Sequence, residues 1–160
     1  MLLPDKIIEE LEDYASFVAS LHKYSDTELI TARVNSQWSI CDVVSHIMKW
    51  DENFTQTVLT KIVNGEPAVL EEHADVQTFN QQAVEYGRTL PPKTLLEEAA
   101  KHRYRLVSLL RLIPHVEFSN AFSSRSSHTL SGFLYEMFVL HDAHHRRQIE
   151  QYLAIKQTEK

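Results

Sequence analysis

HDAHHRRQIEQYL, His141 to Leu153, is the stretch whose reading decides the fold. Taken as a helix of 3.6 residues per turn, it continues a face made of Leu130, Leu134, Met137, Phe138, His141, His145, Gln148, Ile149 and Tyr152. Glu136, Asp142, Arg146, Arg147 and Glu150 are expected to point away from that face. His141 and His145 therefore stand one turn apart within an apolar stripe, the spacing at which one helix offers two imidazole nitrogens to a single cation.

Working outward, the chain has 160 residues, enough for one domain with a real core and few for two, so residues 1–160 are expected to form a single domain. Three Gly and five Pro leave little turn punctuation, which favours helix over an all-β design. Sixteen Lys and Arg against 22 Asp and Glu give a formal charge of −6, and no basic face is segregated, so nucleic acid is not an expected partner. Cys41 is the single cysteine, which excludes an internal disulfide, an iron–sulfur cluster or a cysteine zinc knuckle within one chain. No run of about 18 apolar residues occurs, and the acidic start MLLPDKIIEELEDY does not look like a signal peptide. A cytoplasmic protein without membrane association is expected.

Four long amphipathic segments can be traced. From Pro4 to about Lys23, Ile7, Ile8, Leu11, Tyr14, Ala15, Val18 and Leu21 recur at helical spacing, while Tyr24 to Gln37 shows no regular pattern. In QWSICDVVSHIMKW, Ser39 is an N-cap, Asp42 completes a variant of the capping box, and Trp38 is placed to staple onto Val43. The helix that begins at Ile40 should end near Asn64-Gly65, and its apolar stripe has one exception, Asp51. His46 sits on the flank of this stripe, where it offers a third ligand. A short helix is expected within Asp75 to Tyr86, and a third long one after Pro91-Pro92, with Leu95, Leu96, Ala99, Arg103, Leu106, Leu110 and Ile113 near one face and Pro114 as its stop. The Ser-rich segment from His115 to Ser131 reads as a loop, and Thr129 or Ser131 caps the fourth long helix, which runs to about Lys156.

Nine histidines make one i, i+4 pair a weak signal, but burial strengthens it, because a buried unsatisfied polar group costs about 1–3 kcal/mol and a shared cation meets that demand for both rings. Gln148, one turn beyond His145, can orient a ligand or bound water. The zincin motif HExxH is absent, as are the ExxH pairs of di-iron bundles. A mononuclear three-histidine site remains. His144 competes with its neighbours from the stripe edge. His22, His73, His102 and His128 read as surface or loop residues, and Cys41, in a first helical turn, is a candidate for a lowered thiol pKa but more simply a small buried residue.

Together WSICDVVSHIMKW and HDAHHRRQI resemble the second-helix and fourth-helix motifs of the DinB-like (YfiT-like) metalloenzyme family, in order, separation and helix placement. The resemblance spans most of the chain, as far as Leu153. It implies an all-α four-helix bundle with a long crossover connection between the second and third main helices. It also implies that His46, His141 and His145 bind a divalent ion, Zn²⁺ or Ni²⁺ above others. Arg147 stands where the family often has Gly. Family membership would imply a hydrolase, or a transferase using a low-molecular-weight thiol as cosubstrate, acting on a small molecule, with a homodimer as the family's assembly. A non-catalytic stress-response or interaction protein with structural histidines is the alternative.

Overall fold

The computed structural model describes residues 3–70, 75–123 and 126–159 and is mostly helical. Helix α1 (Pro4–Ser20) starts on a proline, whose missing N–H would find no intrahelical partner there anyway, and tightens into one 3₁₀ turn at Leu21–Lys23. A short helix, α2 (Asp26–Thr31), follows with Ser25 Oγ accepting from Glu28 N at 3.1 Å. It lies inside the stretch expected to be irregular. Its six residues bury only Leu29, which leaves no periodic signal in the sequence.

Helix α3 (Ile40–Phe54) begins where its cap directs. Ser39 Oγ accepts from Asp42 N at 3.1 Å and Asp42 Oδ2 accepts from Ser39 N at 3.0 Å, so both halves of the capping box are made. A π turn at Thr55–Leu59 leads into α4 (Thr60–Val63), and the chain leaves the helix at Gly65, whose φ of +72° is the left-handed conformation expected of a helix terminator. The connection that follows carries α5 (Val76–Arg88), capped by Asp75; His73 lies outside the described residues. Ser45 Oγ donates to Ala83 O at 2.5 Å, and Arg88 forks onto Asp42 at 2.9 and 3.1 Å, holding α5 against α3. The approach is close enough that a Cβ at Gly87 would meet Ser45 Oγ at 2.4 Å.

Helix α6 (Pro92–Leu112) ends before Pro114, as expected. The Ser-rich segment is more ordered than a loop. It holds a 3₁₀ turn (His115–Ser119) and a hairpin of β1 (Ala121–Ser123) and β2 (Ser126–Thr129), antiparallel with Ala121 opposite Thr129. Such short serine-bearing strands lack the alternation that would betray them. Ser123 Oγ accepts from Leu70 N at 2.9 Å, tying the hairpin to the connection. Of the two cap candidates, Thr129 acts: its Oγ1 accepts from Gly132 N at 3.0 Å at the start of α7 (Leu130–Leu134). A second π turn, Tyr135–Val139, joins α7 to α8 (Leu140–Thr158).

That π turn corrects the face assigned to the last helix. One extra residue in the turn sets everything after it back by about 100° relative to an uninterrupted α-helix. Leu130, Ser131, Leu134, Phe138, Asp142, His145 and Ile149 are therefore the buried set. Asp142 points inward, against expectation, and Met137 is 56% exposed. Arg147, by contrast, is exposed as read.

The apolar core forms two clusters. One joins Ile7 and Leu11 of α1, Phe54 of α3, Leu106 and Leu110 of α6, and Phe138. The other joins Tyr14 and Val18 of α1, Ile40 and Ile47 of α3, Leu95 and Leu96 of α6, and Ile149 of α8. Between them lies a polar layer around Arg103, which is fully buried. Its five N–H donors make five bonds: to Asp51 at 2.8 and 3.0 Å, to Asp142 at 2.6 and 3.0 Å, and to the Leu11 carbonyl at 3.1 Å. Its guanidinium also stands 4.5 Å from the Tyr14 ring centre. One side chain thus links α1, α3, α6 and α8. Among the described residues no helix is long and apolar enough to cross a membrane.

Candidate metal centre

His46 projects from α3, and His141 and His145 from α8. Their Nε2 atoms converge, with His46 Nε2 3.2 Å and His145 Nε2 3.0 Å from His141 Nε2. One candidate ligand atom from each of the three can be chosen so that all lie within 4.8 Å of one another. The His141 and His145 rings meet edge to face, 4.5 Å apart and 89° between planes, so both can turn a nitrogen to the same point. Trp38, just ahead of the Ser39 cap, lays its ring 4.8 Å from that of His46. The capping box sets the start of α3, seven residues before His46.

Burial makes all three rings weak bases. His46 is pushed down to about 3, first by burial and then by the His141 and His145 rings. His141 is pushed down to about 4, first by burial and then by His145 and His144. Burial lowers His145 as well, against the opposing pull of its hydrogen bond with Gln148. At neutral pH each ring is an uncharged imidazole with one nitrogen lone pair. His145 Nδ1 lies 3.0 Å from Gln148 Oε1, an acceptor, so the proton sits on Nδ1 and the lone pair of Nε2 faces the cluster. Among the described residues no partner meets hydrogen-bond geometry at His46 Nδ1, although Asn80 lies near enough to oppose the burial that lowers this ring.

A divalent ion suits this donor set. Uncharged imidazoles are what Zn²⁺, Ni²⁺, Cu²⁺ and Fe²⁺ bind, and a tetrahedral site with bonds of ~2.0–2.1 Å spaces its ligands by about 3.3 Å, close to the two separations from His141 Nε2. The same short separations also allow hydrogen bonds among the Nε2 atoms, the donor in each being set by the tautomer.

The cluster forms one end of a cavity of about 470 Å³. Trp38, Trp50, Phe54, Phe133, Met137 and Phe138 line it, with Asn53, Asn80 and His144 among the polar groups. A hollow of about 530 Å³ between the C-terminal parts of α1 and α8 contains none of these histidines. His144 is exposed beside the cluster, its ring 5.1 Å from that of His145, and is not one of the converging groups. His102 is a flank residue 3.9 Å from Glu52, and His22, His115 and His128 also lie outside the cluster. The thiol of Cys41 runs against the lowered value considered for it: burial, ahead of the Asp42 charge, pushes it up to about 12. It is a small buried core residue.

The polar layer next to the histidines was the part missed. Asp51 and Arg103 each interrupt an apolar stripe with opposite charge, which is the signal that could have paired them. Asp142 was hidden by the π turn. Burial raises Asp51 to about 6 despite Arg103, and raises Asp142 in the same way. For Arg103, burial works against the charge, but Asp142 and Asp51 outweigh it and hold the guanidinium protonated.

Searches of the curated proteins and of the solved structures find no match. The family model of the DinB superfamily matches residues 10–149, a span that contains His46, His141 and His145 and every long helix but the ends of the first and last. The chain belongs to the DinB superfamily.

Proposed function

We propose that this protein is a divalent-metal-dependent enzyme acting on a small molecule, either as a hydrolase or as a transferase using a low-molecular-weight thiol. Its scaffold in this reading is one domain over residues 1–160, a four-helix bundle of α1, α3, α6 and α8, with α5 in the long crossover between the second and third. The single observation that carries the reading is the convergence of three uncharged imidazole nitrogens at the end of an open cavity.

His46, His141 and His145 would hold the ion, with Zn²⁺ or Ni²⁺ the first candidates. When bound, a divalent ion supplies Lewis acidity that lowers the pKa of water or a thiol and polarises a substrate heteroatom. The protein supplies the rest. Gln148 fixes the tautomer and tilt of His145, and the aromatic walls exclude bulk water, which strengthens electrostatic interactions at the cluster. Three protein ligands leave positions open to reactants, whereas a structural ion is closed by a fourth. Among the described residues, no further His, Cys, Asp or Glu joins the three. The carboxylate nearest in sequence, Asp142, is engaged by Arg103. This favours the enzyme over the alternative of a non-catalytic interaction protein with a structural ion. We further propose a cytoplasmic homodimer that binds neither nucleic acid nor membrane; the net charge of −6 supports the first exclusion.

The test is the metal content of protein purified without an affinity tag, beside His46→Ala and His145→Ala. Near-stoichiometric metal in the parent chain and its loss in both variants are expected. No metal in the parent, and uptake untouched by either change, would sink the assignment. Conjugation of an electrophile by a panel of cellular thiols separates the two reaction classes: background rates throughout would leave hydrolysis.

A further inference from the structure

The wall of the histidine cavity is preorganised, and its described residues include no Lys or Arg. Trp50 is held by its Nε1 donating to Asn80 Oδ1 at 2.9 Å and by its ring against Phe79, centres 4.0 Å apart. Phe54 stacks on Phe133, centres 5.3 Å apart and 20° between planes, and meets Phe138 at 5.0 Å. The two lining carboxylates, Asp51 and Asp142, are both engaged by Arg103 from behind the wall. Among the described residues, the one cluster of potential metal ligands in this lining is His46, His141 and His145.

We infer that the cavity takes a small, uncharged, aromatic or hydrocarbon-rich molecule, its apolar body between Trp50, Phe133 and Phe138 and one polar atom turned toward the three histidines. This rests on the metal reading of the cluster. The volume of about 470 Å³ is that of a typical small-molecule site. A carboxylate or phosphate on the apolar body would lose its hydration against ring faces, which carry partial negative charge, and would meet no Lys or Arg among the described lining residues, the bound ion lying at the other end. A cationic body would be drawn to those faces but repelled by the bound ion at the other end. For the thiol-transfer branch the consequence is specific: the walls hold the acceptor molecule, and the charged body of a carboxylate-bearing thiol stays outside them.

The chain has two tryptophans, Trp38 and Trp50, and both line the cavity, so intrinsic fluorescence reports its occupancy directly. On metal-loaded full-length protein, 4-phenylbenzohydroxamic acid is compared with acetohydroxamic acid and with 4-carboxybenzohydroxamic acid, which share the same chelating group. The biphenyl probe should bind at least about tenfold tighter than either, a difference of about 1.4 kcal/mol. Equal or tighter binding of the carboxylate probe, or no gain from the biphenyl group over acetohydroxamic acid, overturns the inference. Phe133→Leu should weaken the biphenyl probe with metal content unchanged. Met137→Lys, at an exposed rim position that spares the core, should shift preference toward the carboxylate probe by about tenfold. An unshifted preference also counts against the inference. If the protein takes up no metal, the metal reading fails on its own; biphenyl-4-methanol, which needs no ion, then decides the cavity, saturable quenching supporting the inference and its absence refuting it.

Discussion

Two buried polar groups sit side by side on α3 and α8, and they are built to opposite specifications. In one, Arg103 has every N–H engaged by Asp51, Asp142 and the Leu11 carbonyl. In the other, His46, His141 and His145 bring their Nε2 atoms together, at 3.0 and 3.2 Å from His141 Nε2, and among the described residues no partner meets hydrogen-bond geometry at His46 Nδ1. The first is complete within the chain. Both of its carboxylates border the cavity, but the guanidinium occupies them. The second lines a cavity. The contrast separates a buried polar group whose charges satisfy one another from one that could hold an ion.

The most damaging change should be Arg103→Met, which strands two buried carboxylates; about 3–5 kcal/mol of stability should be lost in chemical denaturation. Adding Asp51→Asn and Asp142→Asn should recover much of it, since an uncharged layer has no stranded charge. Full recovery with metal affinity intact would confine the layer to folding, whereas recovery of stability with weakened metal uptake would give it a share in aligning the histidines.

Lowering the pH should strike the histidine group of the metal-free protein first. His46 and His141 have folded values of about 3 and about 4, against 6.5 for an ordinary imidazole. The unfolded chain therefore takes up protons before the fold does. Their contribution is full above 6.5 and falls by about 1.4 kcal/mol per pH unit for each ring as the pH drops toward 4. Asp51 acts in the opposite sense. Raised to about 6 from 3.8, its contribution is present below 3.8 and is lost as the pH rises to 6, so it offsets about one ring in that window. The difference in unfolding free energy between the parent chain and a His46→Gln/His141→Gln variant, followed from pH 7.5 to 4.5, isolates the rings; a flat difference would mean that they are not buried neutral.

A finer probe is Gln148→Leu, which removes the acceptor for His145 Nδ1 and should weaken metal binding by roughly 10–100-fold. Competition against a chromophoric chelator measures it, and unchanged affinity would leave the orienting role to packing alone. Ser39→Ala should have the smallest effect, about 1 kcal/mol from the lost cap. Thermal unfolding should show that loss with metal stoichiometry retained, since the cap breaks neither polar group; loss of metal as well would make the start of α3 a determinant of the height of His46.

Much of this was legible along the chain. The Ser39–Asp42 box, Pro92 and Pro114 around α6, Gly65 after α4 and the Thr129 cap all act over three or four residues, so each can be read from its immediate neighbours. His141 and His145 belong to the same class, one turn apart on one helix. What resisted reading was either too short to be periodic, as with α2 and the β1–β2 hairpin, or displaced by an irregular turn, as with Asp142 and Met137 after the π turn.

The sequence by itself determined where the long helices start and stop, and that one of them carries a paired set of imidazoles on its buried side, because capping and periodicity are local properties. Tertiary structure alone decided that Arg103 would meet Asp51 and Asp142, 52 and 39 residues away, and that His46 would arrive within 3.2 Å of His141 from 95 residues away. Contacts over such separations exist only once helix faces pack. There, the cost of burying each polar group selects the one arrangement in which the charges are paired and the histidines converge.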